Sequence, residues 1–291
     1  MSTPPARPEG MPEEIVPVRL RPPTQVFEKR AARFAELAPG DAAGEYLAFL
    51  AHLAEAQRLA CRSIPVALGK APSSPSTPLH VLKWPRDGAW RDGLRLIRSE
   101  MGKAPLPEAA RSALARLGAK TPEELEAAAD GLLCSADAGR DAGTALFVGA
   151  ALQVYWTGVA ARVPVERVER PKSGCPVCGS PPVAAIVQGD GLRYLTCSLC
   201  AAEWHLPRVV CATCRSTARL SYCTVEGDPG TVKAEACEEC GTYLKLFYPE
   251  RGPRAEPLAD DLATLPLDLL MAEEGYARGG VNLFLLPGPA S

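Results

Sequence analysis

Four Cys-x-x-Cys pairs lie between residues 175 and 240, and they limit the folds open to this 291-residue chain more than any other feature. Each pair turns the backbone so that two sulfur atoms converge, and two such turns complete a tetrahedral thiolate site. A single pair would also suit a thioredoxin-like redox motif, whereas four pairs in one short stretch indicate metal binding. The eight predicted ligands are Cys175, Cys178, Cys197, Cys200, Cys211, Cys214, Cys237 and Cys240.

The sequence between the pairs predicts which of them share a metal. The eighteen residues between Cys178 and Cys197 contain an apolar run, the turn signal QGDG and the strand-like LRYLT. The twenty-two residues between Cys214 and Cys237 repeat this order with ARLSYCTVE, GDPG and TVKAEA. Both segments predict a hairpin that returns its second cysteine pair to its first. The ten residues 201–210 contain no Gly or Asn and indicate an extended connector, so the second and third pairs belong to different sites in an internal duplication.

The ligand set restricts the chemistry of both sites. Four thiolates fill a tetrahedral coordination sphere, so no position remains open for a hydrolytic water. The metal is then either a structural staple for a small module or a one-electron iron centre of the rubredoxin type. Tetrahedral sulfur sites accept both zinc and iron, and the spacing does not separate them. His205 is expected to be a contact of the connector, and Cys223 a thiol of the core.

The first half of the chain predicts helices from about residue 24 to residue 163. The segment 121–133 opens with Thr121, a Pro and Glu124, the pattern of a capping box. The segment 142–161 has twenty residues and no charge, which is long enough for a membrane span but equally typical of a central bundle helix. Its three Gly, two Thr and one Gln favour the central helix. His52 and His80 are isolated in the sequence and are expected to be structural. The first half of the sequence shows no phosphate-binding loop, nucleophile elbow or carboxylate pair with recognisable spacing.

These patterns predict an α+β protein in five parts. They are a disordered Pro-rich terminus (1–23), a helical domain (24–170), a first four-cysteine module (171–206), a second four-cysteine module (207–252), and a C-terminal helix and tail (253–291). In the last part, an amphipathic helix would turn Leu262, Leu265, Leu269 and Leu270 towards the body of the protein, which we favour, or towards a partner. Eleven cysteines without an apolar leader indicate reduced thiols, so we expect a cytoplasmic protein.

The charge of the cysteine-rich segment argues against nucleic acid as a partner. Between residues 175 and 250 there are six Lys and Arg against eight Asp and Glu. A divalent metal held by four thiolates adds about two further negative charges per site. Phosphate neutralisation requires the opposite sign, so a protein partner is favoured.

The same residues resemble a known family, the formate dehydrogenase accessory protein FdhE. The likeness is carried by CPVCGS (175–180), GLRYLTCSLCAAEWH (191–205), VVCATC (209–214), EACEECGTYLKLF (235–247) and ADDLATLPLDLLMAEEGYAR (259–278), and more loosely by residues 30–57. It covers most of the chain from about residue 20 and is most specific around the cysteine pairs.

The resemblance implies a cytoplasmic maturation factor that is not itself an enzyme. It would bind the catalytic subunit of a respiratory molybdenum- or tungsten-containing formate dehydrogenase, without membrane insertion, and self-association is left open. It also implies two iron ions in rubredoxin-like centres, one held by the first two cysteine pairs and one by the last two, with zinc as the alternative. Two other functions stay open: a zinc-ribbon adaptor for another protein or nucleic acid, and a small oxidoreductase, although no flavin or nicotinamide motif is visible.

Overall fold

A computed structural model describes residues 15–64, 77–134, 141–168, 174–189, 191–251 and 255–285. Helices occupy the first part and the end of the chain, and strands occupy the cysteine-rich part, so the predicted α+β class is confirmed. The helices are α1 (Pro23–Leu37), α2 (Gly44–Ser63), α3 (Ala89–Met101), α4 (Glu108–Ala119), α5 (Pro122–Leu133), α6 (Ala142–Ala160), α7 (Pro257–Leu262) and α8 (Leu265–Glu273). The strands are β1 (Val18–Arg19), β2 (Pro182–Val187), β3 (Arg193–Cys197), β4 (Glu203–His205), β5 (Leu220–Cys223), β6 (Val232–Cys237), β7 (Thr242–Phe247) and β8 (Ala277–Arg278).

Helix α6 is the centre of the helical part. It is long and apolar enough to cross a membrane, but 83% of its most apolar stretch is buried against other parts of the protein. Its neighbours include α2, α3, α4 and α5. A helix that is surrounded on all sides needs no polar face, which explains the uncharged sequence. The prediction of a central bundle helix is therefore confirmed.

The capping box predicted at the start of α5 is confirmed, and α6 also begins with a side-chain cap. Thr121 accepts a hydrogen bond from the Glu124 amide, and the Glu124 carboxylate accepts one from the Thr121 amide, which completes the capping box of α5. The carboxylate of Asp141 accepts from the amides of Gly143 and Thr144 at the start of α6. Each cap satisfies amides that have no partner within the helix, a contribution of about 1 kcal/mol.

The strands form one sheet in the order β1-β4-β3-β2-β7-β6-β5, and β8 pairs with β7. Both predicted hairpins are present, since β2 pairs with β3 and β5 with β6 in antiparallel fashion. The two halves are joined by a parallel pairing of β2 with β7, in which Ala185 lies opposite Leu246 and Ile186 opposite Phe247. The two cysteine-rich modules are therefore two halves of a continuous sheet.

Two segments predicted to be extended or disordered contain strands. Within the connector 201–210, which was predicted to be extended, Glu203–His205 form β4 and pair with β3 through Leu195 opposite Trp204. Of the terminus predicted to be disordered, residues 1–14 lie outside the described residues, but Val18 and Arg19 form β1 and pair with β4. Short strands without a full alternation of apolar and polar residues leave little signal in sequence, because their neighbours supply the pairing.

The C-terminal segment forms two short helices where one amphipathic helix was predicted. Leu262 is buried, but Leu269 is 67% exposed, so the expected inward position of Leu269 is wrong. The ammonium group of Lys245 binds the carbonyl oxygens of Asp261 and Thr264 at 2.8 and 3.0 Å. This buried cation stabilises the break between α7 and α8, and a helical period cannot continue across the break.

Candidate metal centres

The structure gathers the eight predicted cysteines into two groups of four. We call them the first cluster (Cys175, Cys178, Cys197, Cys200) and the second cluster (Cys211, Cys214, Cys237, Cys240), and the sulfur atoms of each lie within 4.8 Å of one another. In the first cluster, two of the Sγ–Sγ distances are 3.4 and 3.6 Å; in the second, the corresponding distances are 3.7 and 3.8 Å.

These separations fit one tetrahedral metal per cluster. A Zn–S distance of about 2.3 Å in a tetrahedron places its sulfur atoms about 3.8 Å apart. An iron centre with four thiolates accepts the same donor set. All four ligand positions of each site would be taken by cysteine, so the chemistry left to the metal is structural or a transfer of single electrons.

The same backbone turn forms each Cys-x-x-Cys pair. The residue after the second cysteine has a positive φ in all four turns: +82° at Gly179, +57° at Ala201, +68° at Arg215 and +63° at Gly241. In three turns the amide of this residue donates to the carbonyl oxygen of the first cysteine, at 2.9 to 3.2 Å. Two of the turns have the glycine that this conformation favours, and two hold a side chain in a left-handed position.

Backbone amides also point at the sulfur atoms. The amide of Val177 donates to the Sγ of Cys175, and the amides of Leu199 and Cys200 donate to the Sγ of Cys197, each at 3.4 Å. In the second cluster the amide of Thr213 lies 3.4 Å from the Sγ of Cys211. Such donors stabilise the negative charge of thiolate ligands.

The helical part of the protein covers the first cluster. We call residues 77–84, between α2 and α3, the cover segment. Two of its amides, those of Leu79 and Val81, donate to the carbonyl oxygens of Val177 and Cys178 at 2.9 and 3.0 Å. From α6, the indole of Trp156 donates to the Leu79 carbonyl at 3.2 Å. The cover segment thus lies between the core helix and the first cysteine pair.

A buried side chain of α6 fixes the second cysteine pair. The amide group of Gln153 donates to the carbonyl oxygen of Ser198, between Cys197 and Cys200, at 2.8 Å. Its own oxygen accepts from Arg30 and Gln57, at 3.2 and 3.0 Å. All four cysteines of the first cluster are at most 2% exposed. Burial raises the pKa of the Cys175 thiol, whereas the neighbouring cysteines outweigh burial and lower the pKa of Cys178.

The second cluster lies at the surface. Cys211 and Cys237 are buried, Cys240 is partly exposed and Cys214 is exposed. The Sγ of Cys240 lies 3.0 Å from the hydroxyl of Thr242. Although partial burial acts in the other direction, the hydroxyl and amide of Thr242 lower the pKa of Cys240 to about 7. These contacts therefore favour the thiolate form of this sulfur.

Arg193 joins the two halves, a role that no pattern in the sequence indicates. Its guanidinium is fully buried, donates to the carbonyl oxygens of Leu206, Pro207 and Val210 at 3.1, 2.7 and 2.6 Å, and forms an ion pair with Glu235 of β6. The hydroxyl of Tyr222 donates to the same carboxylate at 3.1 Å. Burial raises the pKa of Glu235 even though Arg193 opposes that shift. Arg193 of the first half thus binds the connector and, through its ion pair with Glu235, the second half.

The two other predicted side chains stay outside both clusters. His205 is buried in β4, where its ring lies 5.7 Å from that of Tyr194. Cys223 is partly buried in β5, opposite Ala234. Among the described residues, the groups of acidic, histidine and cysteine side chains that could hold a metal are these two cysteine clusters.

Comparisons with protein families match nearly the whole chain. The model described as "FdhE, N-terminal" matches residues 15–173, "FdhE, central domain" matches 174–208, and "FdhE, C-terminal domain" matches 209–285. The change from the central to the C-terminal model falls inside the clamped connector, between the two clusters.

Individual proteins show the same likeness over most of their length. The chain is 38% identical to Protein FdhE of Escherichia coli, over 94% of this chain and 93% of that one, and 39% identical to the FdhE homolog of Cronobacter sakazakii over the same shares. The crystal structure of the FdhE protein from Pseudomonas aeruginosa superposes with a TM-score of 0.85 at 35% identity, covering 94% of this chain and all of that one.

Proposed function

Because this chain belongs to the FdhE family, we propose that it is an accessory protein that matures a respiratory molybdenum- or tungsten-containing formate dehydrogenase. The family is one of accessory proteins rather than catalysts. The proposed partner is the catalytic subunit of that enzyme, which the chain would bind in the cytoplasm. The observation that carries the proposal is the pair of complete thiolate clusters in a chain that its FdhE relatives match over more than nine-tenths of its length.

The clusters support a metal-bearing docking module. In the proposed holoprotein, each cluster holds one iron ion, or zinc in its place, and the cysteines named above are its ligands. Such a metal supplies cross-links within a small module or a single transferable electron. Residues 175–250 contain six Lys and Arg against eight Asp and Glu, so the proposal places a protein and not nucleic acid at this end of the molecule.

The genetic test is a strain that lacks this chain but expresses the target formate dehydrogenase. We expect formate oxidation to be lost and to return when the wild-type chain is supplied. Cys214→Ser and Cys178→Ser should each fail to restore full activity. Cys134→Ser is the matched control, because this exposed cysteine lies outside both clusters. Unchanged formate oxidation in the deletion strain would overturn the proposed function.

The metal is tested separately by anaerobic purification. Iron at two equivalents per chain with visible thiolate-to-iron absorption is expected. A colourless protein with two equivalents of zinc would favour the structural role and the zinc-ribbon alternative.

A further inference from the structure

The two clusters differ in the protein elements that separate them from solvent. The four cysteines of the first cluster belong to the hydrophobic core of the protein, together with residues of α2, α3 and α6. The cysteines of the second cluster do not belong to that core. The donor set is the same, so the difference arises from the elements that pack around each cluster.

Access to the first cluster requires part of the fold to open. Both hydrogen bonds from the cover segment to the first cysteine pair must break, and the Gln153 bond to Ser198 fixes the other pair. The ring of His80 and the methyl of Thr77 lie 3.2 to 3.4 Å from where a β-carbon on Gly179 would stand, so the turn is covered closely. Exchange that needs such an opening is slowed by the free energy of the opening.

Access to the second cluster requires no comparable opening. Cys214 and Cys240 are both reachable from solvent. The segment that packs on this side is the short one around β8, whose Ala277 amide donates to the Gly241 carbonyl at 2.9 Å. An external thiol or chelator can therefore approach the metal from the side of Cys214 and replace one sulfur at a time.

The second half would keep its place after losing its metal. Strand β7 stays paired with β2, and Arg193 holds Glu235. On the other side, Lys245 is 2% exposed and lies 3.2 Å from the Asp261 carboxylate and 2.6 Å from that of Asp268. These contacts do not involve any of the four sulfur atoms.

We propose that the second cluster is a metal-exchange site, which releases and takes up its ion while the first cluster stays loaded. The chain then exists in a one-metal and a two-metal form with the same overall fold. External thiolates, of a small molecule or of a protein, are the class of ligand that the exposed side accepts, since they match the softness of the bound ion. This inference rests on the proposed function only in treating both clusters as metal sites.

The test is metal release from the full chain loaded with two equivalents of Co²⁺, whose thiolate absorption reports binding. After addition of excess EDTA we expect two phases of equal amplitude, the slow one at least about tenfold slower, as local opening of a core region predicts. Cys214→Ser should remove the fast phase and leave the slow one. Release of both equivalents in one phase, or a fast phase that persists in Cys214→Ser, would overturn the proposal.

A second measurement on the wild-type chain avoids any folding defect of a variant. N-ethylmaleimide added at the end of the fast phase, followed by peptide mass spectrometry, should label Cys214 and Cys240, the solvent-accessible sulfur atoms of the second cluster, and spare the first cluster. Cys134 is exposed and serves as the internal control for reagent activity. Labelling of Cys175 or Cys197 at that point would contradict the proposal. Neither measurement uses formate dehydrogenase, so a failure here and a failure of the proposed function are told apart.

Discussion

The two clusters have the same ligands, the same backbone turn and nearly the same sulfur separations, yet one is buried and the other is at the surface. The first is covered by the cover segment and by Gln153 of the core helix. The second is covered only in part, and Cys214 is exposed. The same four-thiolate ligand set thus occurs in two different environments. The surrounding elements decide whether a cluster is buried in the core or accessible to solvent.

The largest difference is expected when one ligand is removed from each cluster. Binding of a structural metal to four thiolates stabilises a fold by about 10–16 kcal/mol, which is as large as the whole stability of a domain, about 5–15 kcal/mol. Cys178→Ser should therefore abolish cooperative thermal unfolding, whereas Cys214→Ser should keep the helical circular dichroism and unfold at a lower temperature. Cys134→Ser should behave as wild type. Equal damage from both ligand variants would show that the clusters are equivalent in the fold.

Breaking the clamp between the halves should have the next largest effect. Arg193→Met preserves much of the side-chain volume but leaves Glu235 buried without its cation, which costs about 3–5 kcal/mol. We expect this loss in urea unfolding at pH 7, together with faster proteolysis within 206–210. Arg193→Met combined with Glu235→Leu should recover part of the loss, because no charge is then left buried. If the single variant is as stable as wild type, the halves are held by the β2–β7 pairing alone.

The contacts that attach each half of the sheet to the helices should differ in how their contribution to the free energy of unfolding changes with pH. The contacts of the helical part with the cysteine pairs of the first half are backbone hydrogen bonds and the Gln153 amide, whereas the second half is held by Lys245, Asp261, Asp268 and Arg278. Although burial opposes it, the neighbouring Lys245 and Arg278 lower the pKa of Asp261. A carboxyl with a depressed folded pKa contributes fully above its unfolded pKa of about 3.9, and the contribution is lost as pH falls through the folded value.

Asp261→Asn measures this contribution directly. The difference in unfolding free energy between wild type and Asp261→Asn should be largest near pH 7 and shrink below about pH 4. Comparison at each pH removes the loss of metal that both proteins share in acid. Gln153→Leu, at the uncharged attachment of the first half, should show a difference that does not change with pH. A constant difference for Asp261→Asn would contradict the assigned role of its charge.

The smallest effect is expected at the turns that hold a side chain with positive φ. Arg215→Gly in the second cluster and Ala201→Gly in the first relieve a left-handed conformation that costs about 1–2 kcal/mol, against the larger unfolded entropy of glycine. A net gain of about 0.5–1 kcal/mol in chemical unfolding is expected. Ala218→Gly, an exposed position whose φ is not positive, should instead lose stability. A loss at all three positions would mean that the turns carry no strain.

Local patterns in the sequence predicted much of the candidate site. The spacing of the cysteines and the turn signals between them predicted both hairpins and the four cysteines that converge in each cluster, because a hairpin brings together residues that are close in sequence. The capping box at Thr121 and the uncharged core helix followed from equally local rules. The Arg193 clamp, by contrast, left no signal, since a single Arg in a strand usually indicates an exposed edge.

The sequence by itself determined which sulfur atoms meet, because a Cys-x-x-Cys turn and a short hairpin are formed by residues near one another in the chain. Only the tertiary structure decided that β4 forms within the connector and that β2 pairs with β7. It also decided that the C-terminal segment is divided into α7 and α8 where Lys245 binds its carbonyl oxygens. It also decided that one cluster is buried and the other exposed. Burial depends on segments far away in sequence, such as residues 77–84 against the first cysteine pair, and no local pattern records which distant surface will cover a given turn.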